Sequence, residues 1–352
     1  MKKAVRLLAV MVILAMLTVL AVGCGSNSST SASTKETQAS KEEAKPQETK
    51  AEAPKAEEPK KEISIGFVPM TLDNEYFITM VNAAKQEAQK QNVMLKVQAG
   101  SSHGAAEEQL QIVEGLISAK VNAICIVPSS SEGIMTALKK AQDGKIPVVN
   151  LDTKINADLL KKNGINPVPF IGTNNYDGAK IAGEYALKIL GGKGNVAILT
   201  GIAGQQNATD RRNGFADAVK DKLKVVAEQS ADWDVDKGYA AAQNIIQAHP
   251  EIVMIFASND NMGLGAYRAV KEAGKDIKVI GYDAVNEALN SIKQGAMAAT
   301  VAQFPAEMGI KGVQAAVKLI NGGTVDEITY TETRLITKEN VDDFQKYLAQ
   351  FK

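Results

Sequence analysis

The chain has 352 residues, and its 40 Lys and Arg balance 40 Asp and Glu, so the formal net charge is zero. That balance removes the electrostatic case for a nucleic-acid partner. With only two Cys and two His, neither at ligand spacing, the chain offers no disulfide framework and no zinc motif.

The N-terminus opens with Met1-Lys2-Lys3 and Arg6, continues as an apolar run over 7–22, and stops at Gly23-Cys24. A basic start, an apolar core and small residues at its end describe a secretory signal. The run is short for a spanning helix, which needs ~20 residues. Leu20-Ala21-Val22-Gly23-Cys24 reads as a lipobox, with 1–23 as the signal and Cys24 as the lipid attachment point. Ala21 stands where that pattern more often has Leu. Residues 24–61 are Ser, Thr, Glu, Lys, Ala and Pro without an aromatic side chain, too polar to fold. They form a tether with a mean reach of ~30–35 Å as a random coil, and Pro46, Pro54 and Pro59 oppose a continuous helix.

From residue 62 onward, short apolar runs alternate with amphipathic stretches. The runs are 63–68, 94–97, 123–127, 148–151, 168–171, 195–199, 225–227, 252–257, 279–282 and 300–303. Helical spacing is clearest over 75–91, where Phe77, Met80, Val81, Ala84 and Ala88 recur at three- and four-residue steps; 105–119 and 177–190 follow suit. Cys125 sits within an apolar run and reads as a buried strand thiol. Alternating helices and nearly continuous apolar strands predict an α/β fold of doubly wound parallel sheets, large enough for two lobes.

Ligands of such sheets lie beyond the carboxyl ends of the strands. Those ends carry Asp73-Asn74-Glu75-Tyr76-Phe77, Ser129-Ser130-Ser131, Asp152-Thr153, Gly201 followed by Arg211-Arg212, Asp232-Trp233-Asp234, Asn259-Asp260, Asp283 and Gln303. Planar polar groups that each make two hydrogen bonds suit neighbouring hydroxyls, and aromatic faces suit the C–H faces of a sugar ring. His103 and His249 are expected at the surface. Asp260 is expected to cap the helix that follows it, Ser129–Ser131 are expected to be structural, and Arg212 solvated. Gly263-x-Gly265 is followed by Arg268 where a dinucleotide fingerprint needs Gly, and there is no phosphate loop, so no cofactor is expected.

Taken together in this order, Asn74-Glu75-Tyr76-Phe77, Gly201-Ile202-Ala203-Gly204 with Arg211 and Phe215, Asp232-Trp233-Asp234, Ser258-Asn259-Asp260, Gly281-Tyr282-Asp283 and Gln303-Phe304-Pro305 resemble the periplasmic binding proteins of the ribose-binding type, which serve sugar ABC transporters. The resemblance runs from Ile63 to the C-terminal segment. It implies two doubly wound lobes joined by a three-strand hinge, 62–173 plus 304–332 and 174–303 plus 333–352. It implies ligand contacts at Asn74, Tyr76, Phe77, Asp152, Arg211, Trp233, Asn259, Asp283 and Gln303. Tyr76 is expected to face the cleft while Phe77 leans towards packing. It further implies a monomeric receptor, held at the membrane through Cys24, that hands a monosaccharide or polyol to an ABC permease. Thr153 departs from the family, where Arg follows the aspartate, so the ligand need not be ribose. The stretch 154–169 is longer than in ribose binders and is expected to reshape the rim.

Three other readings compete. A receptor presenting a sugar or furanose-like signal to a sensor kinase or chemoreceptor would share the fold. A glycosidase would need paired carboxylates, for which Asp152 and Asp283 are the candidates. A sugar-responsive repressor would start with a helix-turn-helix, and here a signal and tether stand in that place.

Overall fold

The computed structural model describes residues 62–351; the lipobox, Cys24 and the tether lie outside them. Strands and helices alternate almost without exception. The first six strands are β1 (Ser64–Val68), β2 (Met94–Val97), β3 (Ala123–Ile126), β4 (Val148–Leu151), β5 (Phe170–Thr173) and β6 (Asn195–Thr200). They are followed by β7 (Lys224–Ser230), β8 (Ile252–Ala257), β9 (Lys278–Asp283), β10 (Ala299–Ala302), β11 (Ile328–Thr331) and β12 (Arg334–Ile336).

Two six-stranded sheets result. One runs β11-β5-β4-β3-β1-β2 and the other β12-β10-β9-β8-β6-β7. All pairings are parallel except β12 against β10. Each sheet therefore reverses its winding once, between β1 and β3 or between β6 and β8, and such a switch point opens a crevice at the strand ends. The chain passes between the sheets three times: after β5, after β10, and between β11 and β12. The expected two-lobed α/β architecture is what the chain adopts.

The central strands are covered on both faces, which is why they read as continuous apolar runs. β3 is buried along its whole length, and β8 at all but one position. The first lobe packs α1 (Glu75–Lys90) against α10 (Pro305–Ile320), with α2 (Ala106–Ser118) and α3 (Met135–Asp143) on the opposite face. The second pairs α5 (Asn175–Leu190) with α6 (Gln206–Val219), and α7 (Val235–Ala248) with α8 (Asp260–Glu272). Phe215 of α6 stacks on Phe256 of β8 with ring centroids 4.3 Å apart. α11 (Val341–Leu348) packs on α9 (Asn286–Lys293), and the 3₁₀ turn after it reaches α1, where the Asn82 amide donates to the Phe351 carbonyl at 3.0 Å.

Cys125 is fully buried and its Sγ lies 3.4 Å from the Gly312 carbonyl oxygen. Burial pushes its thiol pKa up to about 12, which keeps it an unreactive core side chain. The stretch 154–169 corrects an expectation. It folds around α4 (Ala157–Lys162) and buries Ile155, Leu160 and Ile165 against Ile124, Ile126 and Leu138. None of its residues lines the cavity between the lobes; its apolar side chains pack it onto the lobe instead.

Candidate functional site

The carboxyl ends of both sheets face one narrow cavity between the lobes. Asn74, Tyr76, Phe77 and Asp152 reach it from the first lobe, Arg211, Trp233, Asn259 and Asp283 from the second, and Gln303 from the crossing after β10. All nine residues singled out in the sequence thus line the same space, and each is at least nine-tenths buried.

Each is held by its local structure. Asn74 caps α1, its Oδ1 accepting from the Tyr76 N–H at 2.9 Å. Asn259 caps α8 in the same way, accepting from the Met262 N–H at 2.9 Å. Capping fixes both carboxamides, so their NH₂ groups keep a set direction. The Tyr76 hydroxyl donates to Asp152 Oδ1 at 2.7 Å, and Thr153 donates to Asp152 Oδ2 at 3.1 Å. Thr153 itself is fully buried and does not line the cavity. Tyr76 and Phe77 meet edge to face at 5.2 Å; both rings line the site, and Phe77 also packs in the core of its lobe.

In the second lobe Arg211 is the hub. Its Nε donates to Asn175 Oδ1 at 2.7 Å, and its Nη1 donates to the Ser258 carbonyl at 2.8 Å and to Asp283 Oδ1 at 3.2 Å. The guanidinium lies 4.0 Å above the Tyr282 ring. No hydrogen bond to Nη2 is made by the described residues. Arg212, as expected, turns outward to Glu228. Gln303 accepts from the Thr173 hydroxyl at 2.6 Å and donates to Asp283 at 2.7 Å, which defines its amide orientation across the hinge. Trp233 has a positive φ of 66° and lies flat on Gly201, where a Cβ would come within 1.9 Å of the indole. Its N–H donates to Gln205 Oε1 at 2.6 Å.

Burial dominates the electrostatics. It raises the Asp152 pKa, opposed by Arg211. It pushes Asp283 up to about 6, again opposed by Arg211. Burial works against the Arg211 charge, but Asp283, Tyr282 and Asp152 more than compensate and raise its pKa. The Tyr76 phenol is raised well above its usual value by burial and by Asp152.

Four lining residues were missed or misplaced by sequence reasoning. Met70, Gln205 and Asn207 lie in loops or at a helix start where no periodicity marks them. His103, expected at the surface, lines the cavity, 3.3 Å from the Asn74 carboxamide and with its ring 5.7 Å from that of Phe77. Burial lowers its pKa, which favours the neutral imidazole. The expectation that Asp260 caps its helix also fails, while the hydrogen bonds of Ser130 and Ser131 are structural. Asn259 caps α8, so Asp260 turns inward instead. Ser131 accepts from the Gln206 N–H of the other lobe at 3.0 Å, while Ser130 serves its own turn by accepting from Gly133 N–H at 2.9 Å.

The lobes meet across the cleft. Gln205 Nε2 donates to the Ser129 carbonyl at 2.8 Å, and the Asn286 backbone and side-chain amides both donate to the Glu75 carboxylate. Charged groups lining the cavity are one guanidinium and two carboxylates; among the described residues no cluster of His, Cys, Asp and Glu has the form of a metal site. The arrangement can offer hydrogen bonds from several sides together with aromatic faces.

Comparison with known proteins agrees with the geometry. The family described as "Periplasmic binding protein domain" matches residues 65–324. The D-ribose/D-allose-binding protein of Pseudomonas aeruginosa is 36% identical over 285 residues, 78% of this chain and 88% of the relative. The ribose import binding protein of Salmonella typhimurium is 36% identical over 278 residues, 78% and 91%. A periplasmic solute-binding protein of an ABC transporter from Actinobacillus succinogenes, solved with bound D-allose, superposes with a TM-score of 0.77 at 33% identity, covering 80% of this chain and all of that one. The chain belongs to the periplasmic binding protein family, which consists of extracytoplasmic solute-binding proteins rather than enzymes.

Proposed function

We propose that this chain is the receptor of an ABC importer and captures an uncharged monosaccharide, pentose or hexose, or a related polyol between its lobes. The observation that carries the reading is the convergence of Asn74, Asp152, Arg211, Asn259, Asp283 and Gln303, all planar and all buried, with Tyr76, Phe77 and Trp233 in one cavity. Those nine side chains are the ligand contacts in this reading, and Arg211 Nη2 is the donor left for a hydroxyl. Segments 62–173 with 304–332, and 174–303 with 333–352, move as the two lobes. Differential affinity for the closed arrangement drives their closure.

The preference for a neutral ligand follows from the charges. Asp283 neutralises Arg211 at 3.2 Å, and Asp152 adds a further carboxylate. A uronate or a sugar phosphate would bring a second anion into low dielectric without a free cation to meet it. The relatives named above are import and sugar-binding proteins, which favours transport over presentation to a sensor kinase. Their names support ribose or allose among the candidates. Cys24 is the lipid attachment site in this reading, tethering a monomeric receptor near its permease; a single-membrane bacterium is the cell in which such an anchor is most needed.

Titration calorimetry across D-ribose, D-allose, other pentoses and hexoses, polyols, a hexuronate and a pentose phosphate tests the proposal. Binding of at least one neutral sugar or polyol, and none of the anions, is expected. No heat from any neutral compound, or preference for an anion, sinks it.

A further inference from the structure

Asp283 delivers its carboxylate to the cavity from an unusual backbone. Asp283 and Ala284 both have positive φ, 114° and 61°, a region that non-glycine residues leave unless their surroundings impose it. The turn they form joins β9 to α9, and no side chain caps α9.

A second aspartate stands behind this turn. Asp260, the first residue of α8, is fully buried and does not line the cavity. Its Oδ2 accepts from the Val285 N–H at 3.0 Å, and its Oδ1 accepts from the Thr300 hydroxyl at 2.7 Å. That hydroxyl in turn accepts from the Ala284 N–H at 3.3 Å. Both amide donors that follow Asp283 are thereby bound, one directly and one through Thr300 of β10. The space for this carboxylate is made by Gly281, where a Cβ would lie 2.1 Å from Asp260 Oδ1.

No ion pair among the described residues offsets the burial of Asp260. Burial and the neighbouring Asp283 push its pKa well above the carboxylate range. A buried carboxyl without a cation is costly, and its hydrogen bonds are what hold it in place. An apolar side chain at this position would leave the amides of Ala284 and Val285 without that support, and the turn free to relax towards ordinary φ.

We propose that Asp260 is a positioning residue for ligand binding: with Thr300 it clamps the 283–285 turn in its strained form and so aims Asp283 at Arg211, Gln303 and the ligand. This rests on the sugar-receptor reading above. It separates two adjacent polar residues by role, Asn259 at the cavity and Asp260 behind it.

The test is a double-mutant cycle on the full chain, with D-ribose and D-allose as probes. Asp260→Asn keeps the shape but loses an acceptor; Thr300→Val removes the hydroxyl; Thr300→Ser restores it. Asp260→Asn and Thr300→Val are each expected to weaken binding about tenfold or more, and Thr300→Ser to bind nearly as the unaltered protein does. The same two changes made on an Asp283→Asn background should cost less than about threefold, because contacts that act through Asp283 are not additive with its loss. A merely structural role would lower the melting temperature and leave the fold-losses equal in both backgrounds. Equal losses, or a Thr300→Val protein that binds as tightly as the unaltered one, overturn the inference alone. If Asp260→Asn does not fold, the Thr300 pair decides. If the unaltered protein binds neither sugar, the cycle is run with whichever neutral sugar or polyol binds in the calorimetric series above; if none binds, the receptor reading fails first and the inference falls with it.

Discussion

Asp283 concentrates the chemistry of the site, and two predictions belong to it. It meets Arg211 and Gln303 and is buried with them. Replacing it by Asn keeps the volume and removes the charge that ligand hydroxyls would meet. Hydrogen bonds to charged groups are worth about 1.5–3 kcal/mol, so calorimetry should record a ten- to hundredfold loss of affinity with the far-ultraviolet spectrum unchanged. Retained affinity would show that the site is misplaced. The second prediction concerns pH. With its pKa raised to about 6, folded Asp283 holds its proton where the unfolded chain, near ~3.9, has lost it. The folded state then binds more protons between roughly pH 4 and 6, so this residue's contribution to stability is complete below that window and is lost as pH rises through it. Relative to Asp283→Asn, the ligand-free protein should lose on the order of 2 kcal/mol in denaturant midpoints taken from about pH 4 to 7. Ligand hydroxyls that donate to the carboxylate favour its charged form, so affinity should fall as pH drops below about 6. A difference between the two proteins that stays flat with pH would contradict the buried, charge-paired picture. At this scale the sequence was informative where strand ends announced polar residues, as at Asp152, Asn259 and Asp283. It misled at Asp260, because an acidic residue at a helix start offers capping as the simplest reading, and only the fold shows Asn259 already in that role.

Among the elements, the loop from β6 into α6 does the joining. Gln205 ties three parts together: its Oε1 holds the Trp233 indole, while its Nε2 reaches the Ser129 carbonyl of the first lobe. Gln206 adds its backbone N–H to Ser131. The bonds to Ser129 and Ser131 form only when the lobes are together, so they favour the closed arrangement over any open one. Gln205→Ala strands a buried indole N–H and a carbonyl, at about 1–3 kcal/mol. The expected result is a loss of affinity of about tenfold or more that stopped-flow fluorescence of Trp233 assigns mainly to faster dissociation, as interface changes usually act. An unchanged dissociation rate would mean that the loop does not hold the cleft shut. The strand–helix alternation of this region was plain from its apolar period, but Gln205 was not. A polar residue in a polar loop carries no periodic signal, and its partners lie 28 and 76 positions away. Strands β11 and β12 were hidden for a related reason. They are four and three residues long, mix polar or charged with apolar side chains, and lie at sheet edges.

At the scale of the whole molecule, the folded part and the N-terminal segment make separate claims on the same function. The strand–helix alternation was legible because the central strands are covered on both faces and the helices between them are amphipathic; the three crossings followed only from the family resemblance. The proposal that the molecule is held at a membrane rests on sequence alone: the apolar run 7–22, then Gly23-Cys24, then a polar stretch. No described helix is long and apolar enough to cross a membrane, and the proposed attachment rests on that N-terminal segment. Two arrangements differ physically. In one, cleavage before Cys24 leaves acyl chains as the anchor; in the other, the apolar run stays and holds the protein itself. Changing Cys24 to Ser separates them. If acyl chains hold the protein, the unaltered chain takes up labelled palmitate and partitions into detergent, while Cys24→Ser stays unlabelled and the membrane fraction loses most of it or keeps only its uncleaved precursor. Each buried CH₂ of an acyl chain contributes ~0.8 kcal/mol, so two or more chains hold firmly and none holds not at all. Sugar affinity should be the same for both forms, since the cavity is built wholly from residues 70–303. Palmitate incorporation into Cys24→Ser, or a mature protein still carrying residues 7–22, would overturn the lipid anchor while leaving the receptor intact.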